Sequence, residues 1–179
     1  MKTKNLVISS LFTAIICVLA QISFPTQPIP FTLALFAIFI TGALLPPKYA
    51  LMSVLTYILL GAFGVPVFAG LRGGFDVLIG MTGGYIMAYP IMAFVIAMFL
   101  KYLKKGKIFS SAVGMIVALI LCYAIGTTWF CYVANVEFYY ALTVCVFPFI
   151  VFDLLKIFLA VSFAGLLRKT LSKTGLFDF

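Results

Sequence analysis

Long apolar stretches, interrupted only by short segments rich in proline, glycine or lysine, dominate this sequence. Hydrophobic residues make up 65% of the 179 residues and charged residues only 9%, whereas soluble domains are nearer half apolar and a quarter charged. A helix needs roughly 20 residues to cross the hydrocarbon core of a bilayer, so the length suits about six crossings. The sequence therefore predicts an all-α membrane protein, built as a single domain of six transmembrane helices over residues 1–179.

The breaks between the apolar stretches place the crossings. They run approximately over residues 6–24, 31–45, 49–64, 77 or 83 to 100, and 108–133, with a sixth that starts near Pro148 and ends near Leu167. Proline suits the first turn of a helix, where its missing N–H costs nothing. The first stretch is longer than the core of a signal peptide, and no small-residue cleavage site follows it. We therefore expect it to remain as the first crossing.

Two glycine pairs, at 73–74 and 83–84, mark an irregular region before the fourth crossing. Glycine permits positive φ angles and lets the backbone approach a ligand closely. A re-entrant or unwound segment is tolerated at membrane depth only where protein or a cavity surrounds it. The glycines therefore predict such a segment.

The distribution of the basic residues predicts the orientation. With a cytoplasmic N-terminus, only Arg72 falls in an outer loop. The remaining basic residues outside the crossings fall on the inner side: Lys2, Lys4, Lys48, Lys101, Lys104, Lys105, Lys107, Arg168, Lys169 and Lys173. This asymmetry satisfies the positive-inside rule. Both termini are therefore predicted to be cytoplasmic, and the net charge of +8 does not indicate a nucleic-acid partner.

Asp153 and Lys156 stand three residues apart inside the last apolar stretch. Residues i and i+3 share one face of a helix. A charge near the bilayer centre costs about 2.5–3.5 kcal/mol, so such residues normally face a partner, a cavity or a ligand. We interpret the pair as the floor of a binding site. The competing interpretation is a structural ion pair that only holds two helices together.

The position of Pro148 predicts the depth of this pair. At 1.5 Å per residue, Asp153 lies about 8 Å and Lys156 about 12 Å along the helix from Pro148, in the outer half. Arg72 comes from an outer loop, so the three charges are expected to converge on one outward-facing pocket. Two cations and one anion leave one positive charge for a monoanionic ligand. The alternative for Arg72 is a solvated loop charge.

Several motifs carry a family resemblance, and they occur in order along nearly the whole chain. They are Gln21-Ile22 before the proline-rich loop 25–30 and Phe31-Thr32-Leu33, the segments 61–70 and 80–85, and Asp153-Leu154-Leu155-Lys156. Together they resemble the BioY family, the biotin-specific substrate-binding (S) subunits of energy-coupling factor (ECF) transporters.

The resemblance implies a six-helix substrate-binding domain for high-affinity biotin binding and uptake, multi-pass in a bacterial cell membrane. Its implied partners are biotin, a transmembrane coupling subunit, two cytoplasmic ATPases and the lipid bilayer. Ser10 and Ala14 fall on the family's paired-alanine motif, which meets the coupling subunit. The chain has no G-x-x-x-x-G-K-[ST] phosphate loop, so ATP-driven transport must draw its energy from another polypeptide.

The sequence departs from the family pattern at three positions. Ser10 replaces the first alanine of the pair, and serine is small enough to keep a close helix approach. Ala34 stands where a glutamine is usual after Thr32-Leu33, which removes one polar contact to a ligand. Met81 stands where a proline is usual before Thr82.

The chemistry of biotin suits the candidate residues. Asp153 can accept the ureido N–H groups, while Arg72 or Lys156 can take the carboxylate, with the planar fork of arginine better suited to it. Tyr85 is expected to pack on the rings, with Phe68 or Trp129 as further walls, while the first loop closes over them. Tyr85 is equally readable as a membrane-interface aromatic.

Other functions are weaker alternatives. A subunit for a different small anionic vitamin would share the architecture. An intramembrane enzyme is disfavoured because the chain has no histidine and no paired acids in the membrane, and an ion channel would need polar residues along several helices. The four cysteines lack metal-ligand spacing and are interpreted as small core residues. No metal, cofactor or catalytic residue is expected, and the protein is predicted not to be an enzyme.

Overall fold

The computed structural model describes residues 2–26, 28–103 and 106–173, without the side chains of Lys2 and of residues 171–173. Gln27 of the first loop and Lys104 and Lys105 of the basic segment lie outside the described residues. The elements are α1 (Lys2–Gln21), β1 (Ser23–Phe24), β2 (Phe31–Thr32), α2 (Ala34–Leu44), α3 (Pro47–Ala62), α4 (Phe75–Ile79), α5 (Gly83–Tyr102), α6 (Lys107–Ala134), α7 (Phe138–Cys145) and α8 (Phe147–Lys173).

Four of these helices are long and apolar enough to cross a membrane. They are the segments Thr3–Gln21, Gly83–Tyr102, Lys107–Ala134 and Phe147–Thr170 of α1, α5, α6 and α8. The apolar helices α2 and α3 are shorter. At 1.5 Å per residue, the 11 residues of α2 span only about 16 Å. The described residues thus agree with the predicted helical membrane architecture.

Helix α5 lies at the centre of the packing. It packs most extensively on α6 and also contacts α2 and α3, while α8 packs on α2 and α6. Nearly every residue of α2 is buried, which matches its uniformly apolar sequence because a helix that is hydrophobic all round is buried all round. The short α2 is therefore enclosed by the other helices.

The proline-rich first loop is the tip of a small hairpin. Strands β1 and β2 pair antiparallel, with Ser23 opposite Thr32 and Phe24 opposite Phe31. Proline cannot continue a helix because it lacks an N–H and clashes with the preceding turn. The helical path is broken before this loop, as the sequence predicts, but α1 ends at Gln21 rather than at the predicted residue 24 because residues 23–24 already form β1.

The predicted irregular region precedes α5. Gly74 has a φ of +114° and is followed by the single-turn helix α4, and a turn at 80–82 then leads into α5. A side chain at Gly83 would meet the backbone carbonyl of Leu78, so this turn needs glycine. Near the C-terminus, Pro148 is the second residue of α8, which confirms its predicted place in the first turn. The separate helix α7 before it was not predicted.

Helix α1 has two distinct faces. Ser9 and Thr13 are buried, and Thr13 donates to the Ser53 carbonyl of α3 at 2.9 Å while the Ser53 hydroxyl donates to the Ser9 carbonyl at 3.0 Å. Ser10 and Ala14 are exposed on the other face. These hydroxyl contacts fix the rotation of α1 and hence which residues it presents outward.

Candidate ligand-binding site

A cavity of about 110 Å³ lies between the first loop, α3, the 68–72 loop, α4 and α5. Its lining is mostly apolar and aromatic with a few polar groups, as is usual for small-molecule sites. The lining residues are Pro28, Ile29, Pro30, Thr32, Ala34, Tyr57, Phe68, Ala69, Arg72, Val77, Thr82, Tyr85, Ile86 and Tyr89. Two of the four predicted binding residues, Arg72 and Tyr85, therefore share one cavity.

Tyr85 is held inside the protein rather than at its surface. Its side chain is buried, and its hydroxyl forms a 3.0 Å hydrogen bond with Thr127 Oγ1 of α6. The ring packs where a side chain at Gly126 would lie. The alternative of a membrane-interface aromatic does not describe this position.

Of the two further aromatic residues predicted as walls of the site, Phe68 lines the cavity and Trp129 does not. Phe68 is 1% exposed, lines the cavity, and meets Tyr57 edge-on with ring centroids 5.5 Å apart. Trp129 is not among the lining residues of this cavity. Its Nε1 donates to the Gly80 carbonyl at 2.9 Å, so it supports the turn before α5 instead.

Asp153 and Lys156 form a buried ion pair on α8. Lys156 Nζ donates to Asp153 Oδ1 at 2.8 Å. The exposed fraction is 6% for Lys156 and 4% for Asp153. The Tyr123 hydroxyl of α6 donates to Asp153 Oδ2 at 2.6 Å. The ammonium lies 3.8 Å from the centroid of the Phe31 ring, within range of a cation–π interaction. The pair therefore faces the protein interior and contacts α6 and the hairpin.

Strand β2 lies between the ion pair and the cavity. Successive side chains of a strand point to opposite faces. Pro30 and Thr32 line the cavity, whereas Phe31 packs on Lys156 and meets Phe152 edge-on, with centroids 5.5 Å apart. The predicted convergence of three charges on one pocket therefore fails for the described cavity, since Arg72 lines it and the ion pair does not.

Arg72 also has a neighbouring acid, Asp76, which the predicted charge count did not include. Its guanidinium lies 3.7 Å from Asp76 Oδ2, with the two side chains 62% and 70% exposed. Exposed pairs of this kind contribute little, typically below about 1 kcal/mol. The prediction of one unmatched positive charge is therefore wrong, because it left out Asp76. The interaction with Asp76 is nevertheless weak enough for Arg72 to exchange it for a ligand anion.

The two residues predicted to contact the coupling subunit lie on the surface of α1. Ser10 and Ala14 are exposed, and the Ser10 hydroxyl donates within α1 to the Leu6 carbonyl at 3.1 Å, so the helix surface there carries no unsatisfied polar group. Among the described residues, no group of three or more His, Cys, Asp or Glu side chains is placed to hold a metal ion.

Comparison with known proteins identifies the family. The sequence profile of the BioY family matches residues 1–173. The chain belongs to the BioY family. It is 39% identical over 171 residues to the biotin transporter BioY of Thermotoga maritima, covering 93% of this chain and 96% of that protein. It is 40% identical over 170 residues to the probable biotin transporter BioY of Pyrococcus horikoshii, covering 94% and 98%.

A solved structure agrees with the sequence comparison. The crystal structure of the S-component for biotin from an ECF-type ABC transporter superposes with a TM-score of 0.86 at 31% identity, covering 94% of this chain and 92% of that one. The BioY family and this neighbour are transporter components and not enzymes. The predicted resemblance and the absence of an enzymatic role are confirmed.

Several residues of this BioY-family site were not predicted. Tyr57 and Tyr89 line the cavity, and Tyr123 and Phe31 hold the ion pair. A tyrosine in an apolar stretch is a weak signal, because aromatic side chains serve in packing as well as in polar contacts. Ala34, one of the departures from the family pattern, does line the cavity.

Proposed function

We propose that this chain is the substrate-capture subunit of an ECF transporter and takes up biotin across a bacterial cell membrane. The fold similarity to the S-component for biotin, over nearly the whole of both chains, carries the proposal. The relatives named as biotin transporters support the same substrate. Because the chain has no phosphate loop, the coupling subunit and two ATPases are proposed as its partners.

The proposed orientation has six crossings, α1, α2, α3, α5, α6 and α8, and cytoplasmic termini. The ends of several helices with basic residues lie together: Arg168 of α8 donates to the Ala43 carbonyl of α2 and contacts Ser111 of α6 at 3.5 Å. Arg72 lies beside the opposite end of α1, near Gln21. This segregation supports the positive-inside assignment.

We assign the biotin groups to residues by their chemistry. Asp153 accepts ureido N–H bonds, and Tyr85 and Phe68 pack on the fused rings. Arg72 takes the carboxylate, since Lys156 is engaged by Asp153. In this scheme Lys156 orients Asp153 through their 2.8 Å contact and contacts the ureido end.

The hairpin must move for this assignment to hold. The cavity of about 110 Å³ is smaller than the several hundred Å³ typical of small-molecule sites, and β2 separates it from Asp153. We therefore propose that the hairpin swings outward to admit biotin and that the ligand then spans both regions.

Isothermal titration of the purified chain tests the proposal. Biotin is expected to bind with a Kd at least 100-fold below those of lipoate and desthiobiotin. Lipoate shares the acidic tail but lacks the ureido group, and desthiobiotin lacks the sulfur ring. If another anionic vitamin binds and biotin gives no heat, the proposed substrate is wrong but the proposed transporter class stands.

A further inference from the structure

The side chain of Gln21, the last residue of α1, bridges two parts of the loop that carries Arg72. Its Oε1 accepts the backbone N–H of Leu71 at 3.0 Å, and its Nε2 donates to the Pro66 carbonyl at 3.3 Å. The same nitrogen lies 3.3 Å from the Cys17 carbonyl one turn back in α1. One amide group therefore connects the end of α1 to both limbs of this loop.

The backbone that Gln21 holds has an unusual conformation. Leu71 has a φ of +57° and directly follows Gly70 at +73°. A left-handed backbone is unfavourable for a residue with a Cβ, so a further interaction has to maintain it. The Leu71 side chain is 71% exposed and offers little packing. The hydrogen bond from its N–H to Gln21 is one interaction that maintains this conformation.

Arg72 follows immediately and is anchored on its other side. Its backbone pairs with that of Phe68, with N–H to carbonyl distances of 2.9 and 3.3 Å, and the buried Phe68 ring packs against Tyr57. The loop is thus fixed at its base by Phe68 and near its tip by Gln21. Arg72 leaves the backbone between these two anchors.

We propose that Gln21 is a positioning residue that aims Arg72 at the ligand carboxylate by fixing the backbone of Leu71. This inference rests on the proposed function, in which Arg72 receives the carboxylate of biotin. The Arg72 side chain is long and 62% exposed, so a wandering backbone would spread its guanidinium over many directions. Ordering it on binding costs affinity, and Gln21 removes part of that cost without touching the ligand.

A double-mutant cycle on biotin affinity tests the proposal. Gln21→Leu removes both loop hydrogen bonds and is expected to raise the Kd for biotin about tenfold. Gln21→Glu keeps an acceptor for the Leu71 N–H, so a rise of less than about threefold is expected. In an Arg72→Ala background, Gln21→Leu is expected to change the Kd less than about twofold, because the residue through which it acts is gone.

The ligand provides a second readout that a purely structural role would not move. Biotinamide has a neutral amide in place of the carboxylate, so Gln21→Leu is expected to change its Kd less than about twofold. The control is Thr56→Val on α3, whose exposed hydroxyl bonds only within its own helix and whose loss should leave both affinities unchanged.

Two results would overturn the role of Gln21. One is an equal loss from Gln21→Leu in the parent and in the Arg72→Ala background, and the other is an equal loss for biotin and biotinamide. If Gln21→Leu does not fold, Gln21→Ala, which also removes both loop hydrogen bonds, is measured against both ligands in its place. A folded parent chain that fails to bind biotin is a distinct outcome, because it overturns the proposed function itself.

Discussion

Both carboxylate oxygens of Asp153 already have partners within the protein. Oδ1 accepts from Lys156 at 2.8 Å and Oδ2 from Tyr123 at 2.6 Å. An ionised carboxylate offers about four lone-pair positions, so two remain for ligand N–H groups. In the proposed binding mode, these internal contacts orient the carboxylate and leave two acceptor positions for the ligand.

Asp153→Asn is expected to raise the Kd for biotin roughly 100-fold. Hydrogen bonds to charged acceptors contribute about 1.5–3 kcal/mol, and the neutral amide also presents N–H groups where the ligand presents its own. The buried Lys156 ammonium loses its counter-ion, so a lower thermal unfolding temperature is expected as well. Titration calorimetry and thermal unfolding in detergent measure the two effects.

Tyr123→Phe is the graded comparison. It removes one orienting hydrogen bond but keeps the charge of Asp153, so a loss of about three- to tenfold is expected. A loss of biotin affinity as large as that of Asp153→Asn would indicate that Tyr123 contacts the ligand directly. Unchanged binding in Asp153→Asn would contradict the role given to the carboxylate.

The sequence could predict this ion pair but not its surroundings. Asp153 and Lys156 are neighbours on one helix face by spacing alone. Tyr123 lies 30 residues away, and Phe31 approaches from the other end of the chain. Such contacts depend on how α6, α8 and the hairpin meet, which no local pattern specifies.

Helices α5 and α6 interlock through glycines and aromatic rings. A side chain at Gly84 of α5 would meet Trp129 of α6, and one at Gly126 of α6 would meet Tyr85 of α5. Small residues let membrane helices approach closely. Here each helix supplies a space that the ring of the other fills.

Gly126→Val is therefore expected to lower stability and ligand affinity together. Overpacking a close contact costs about 1–3 kcal/mol, and the displaced ring of Tyr85 is a wall of the cavity. Thermal unfolding with and without biotin measures both effects. Gly165→Ala on α8 is the control, since a side chain there meets nothing within 4 Å. Equal unfolding temperatures for the two variants would count against the interlock.

At the element scale, local rules predicted the helices better than their breaks. Proline-rich segments and Pro148 set helix ends because proline lacks an N–H, and the structure follows them. The separation of α7 from α8 occurs at Val146, with φ of −122° and ψ of −59°. Pro148, two residues later, marks the start of α8, but the apolar run before it carries no signal that residues 138–145 form a separate helix.

At the scale of the whole molecule, one face of α1 is exposed on the protein surface. Ser10 and Ala14 lie on the exposed face, and the buried hydroxyls of Ser9 and Thr13 fix the helix rotation from behind. The candidate cavity lies beside the hairpin that follows α1. Ligand capture and coupling are therefore expected to be separable by mutation.

Ser10→Leu is expected to leave biotin affinity within about twofold of the parent. ATP-dependent uptake by the complete transporter in proteoliposomes is expected to fall at least about tenfold, because a large side chain prevents close helix approach.

Ser162→Leu is the matched control on α8. Ser162 is also exposed and also donates to the carbonyl four residues earlier, at 2.9 Å. Equal uptake by the two variants would refute a coupling role for the exposed face of α1.

The position of β2 between cavity and ion pair has a kinetic consequence. In the proposed binding mode, biotin and the ring of Phe31 compete for the ammonium of Lys156, so the vitamin is not expected to reach its final pose by collision alone. Its observed association rate should level off at high concentration, at the rate with which the strand withdraws. If the strand returns after binding, the same obstruction is expected to slow escape, and a long residence time is then expected without any additional contact to the vitamin.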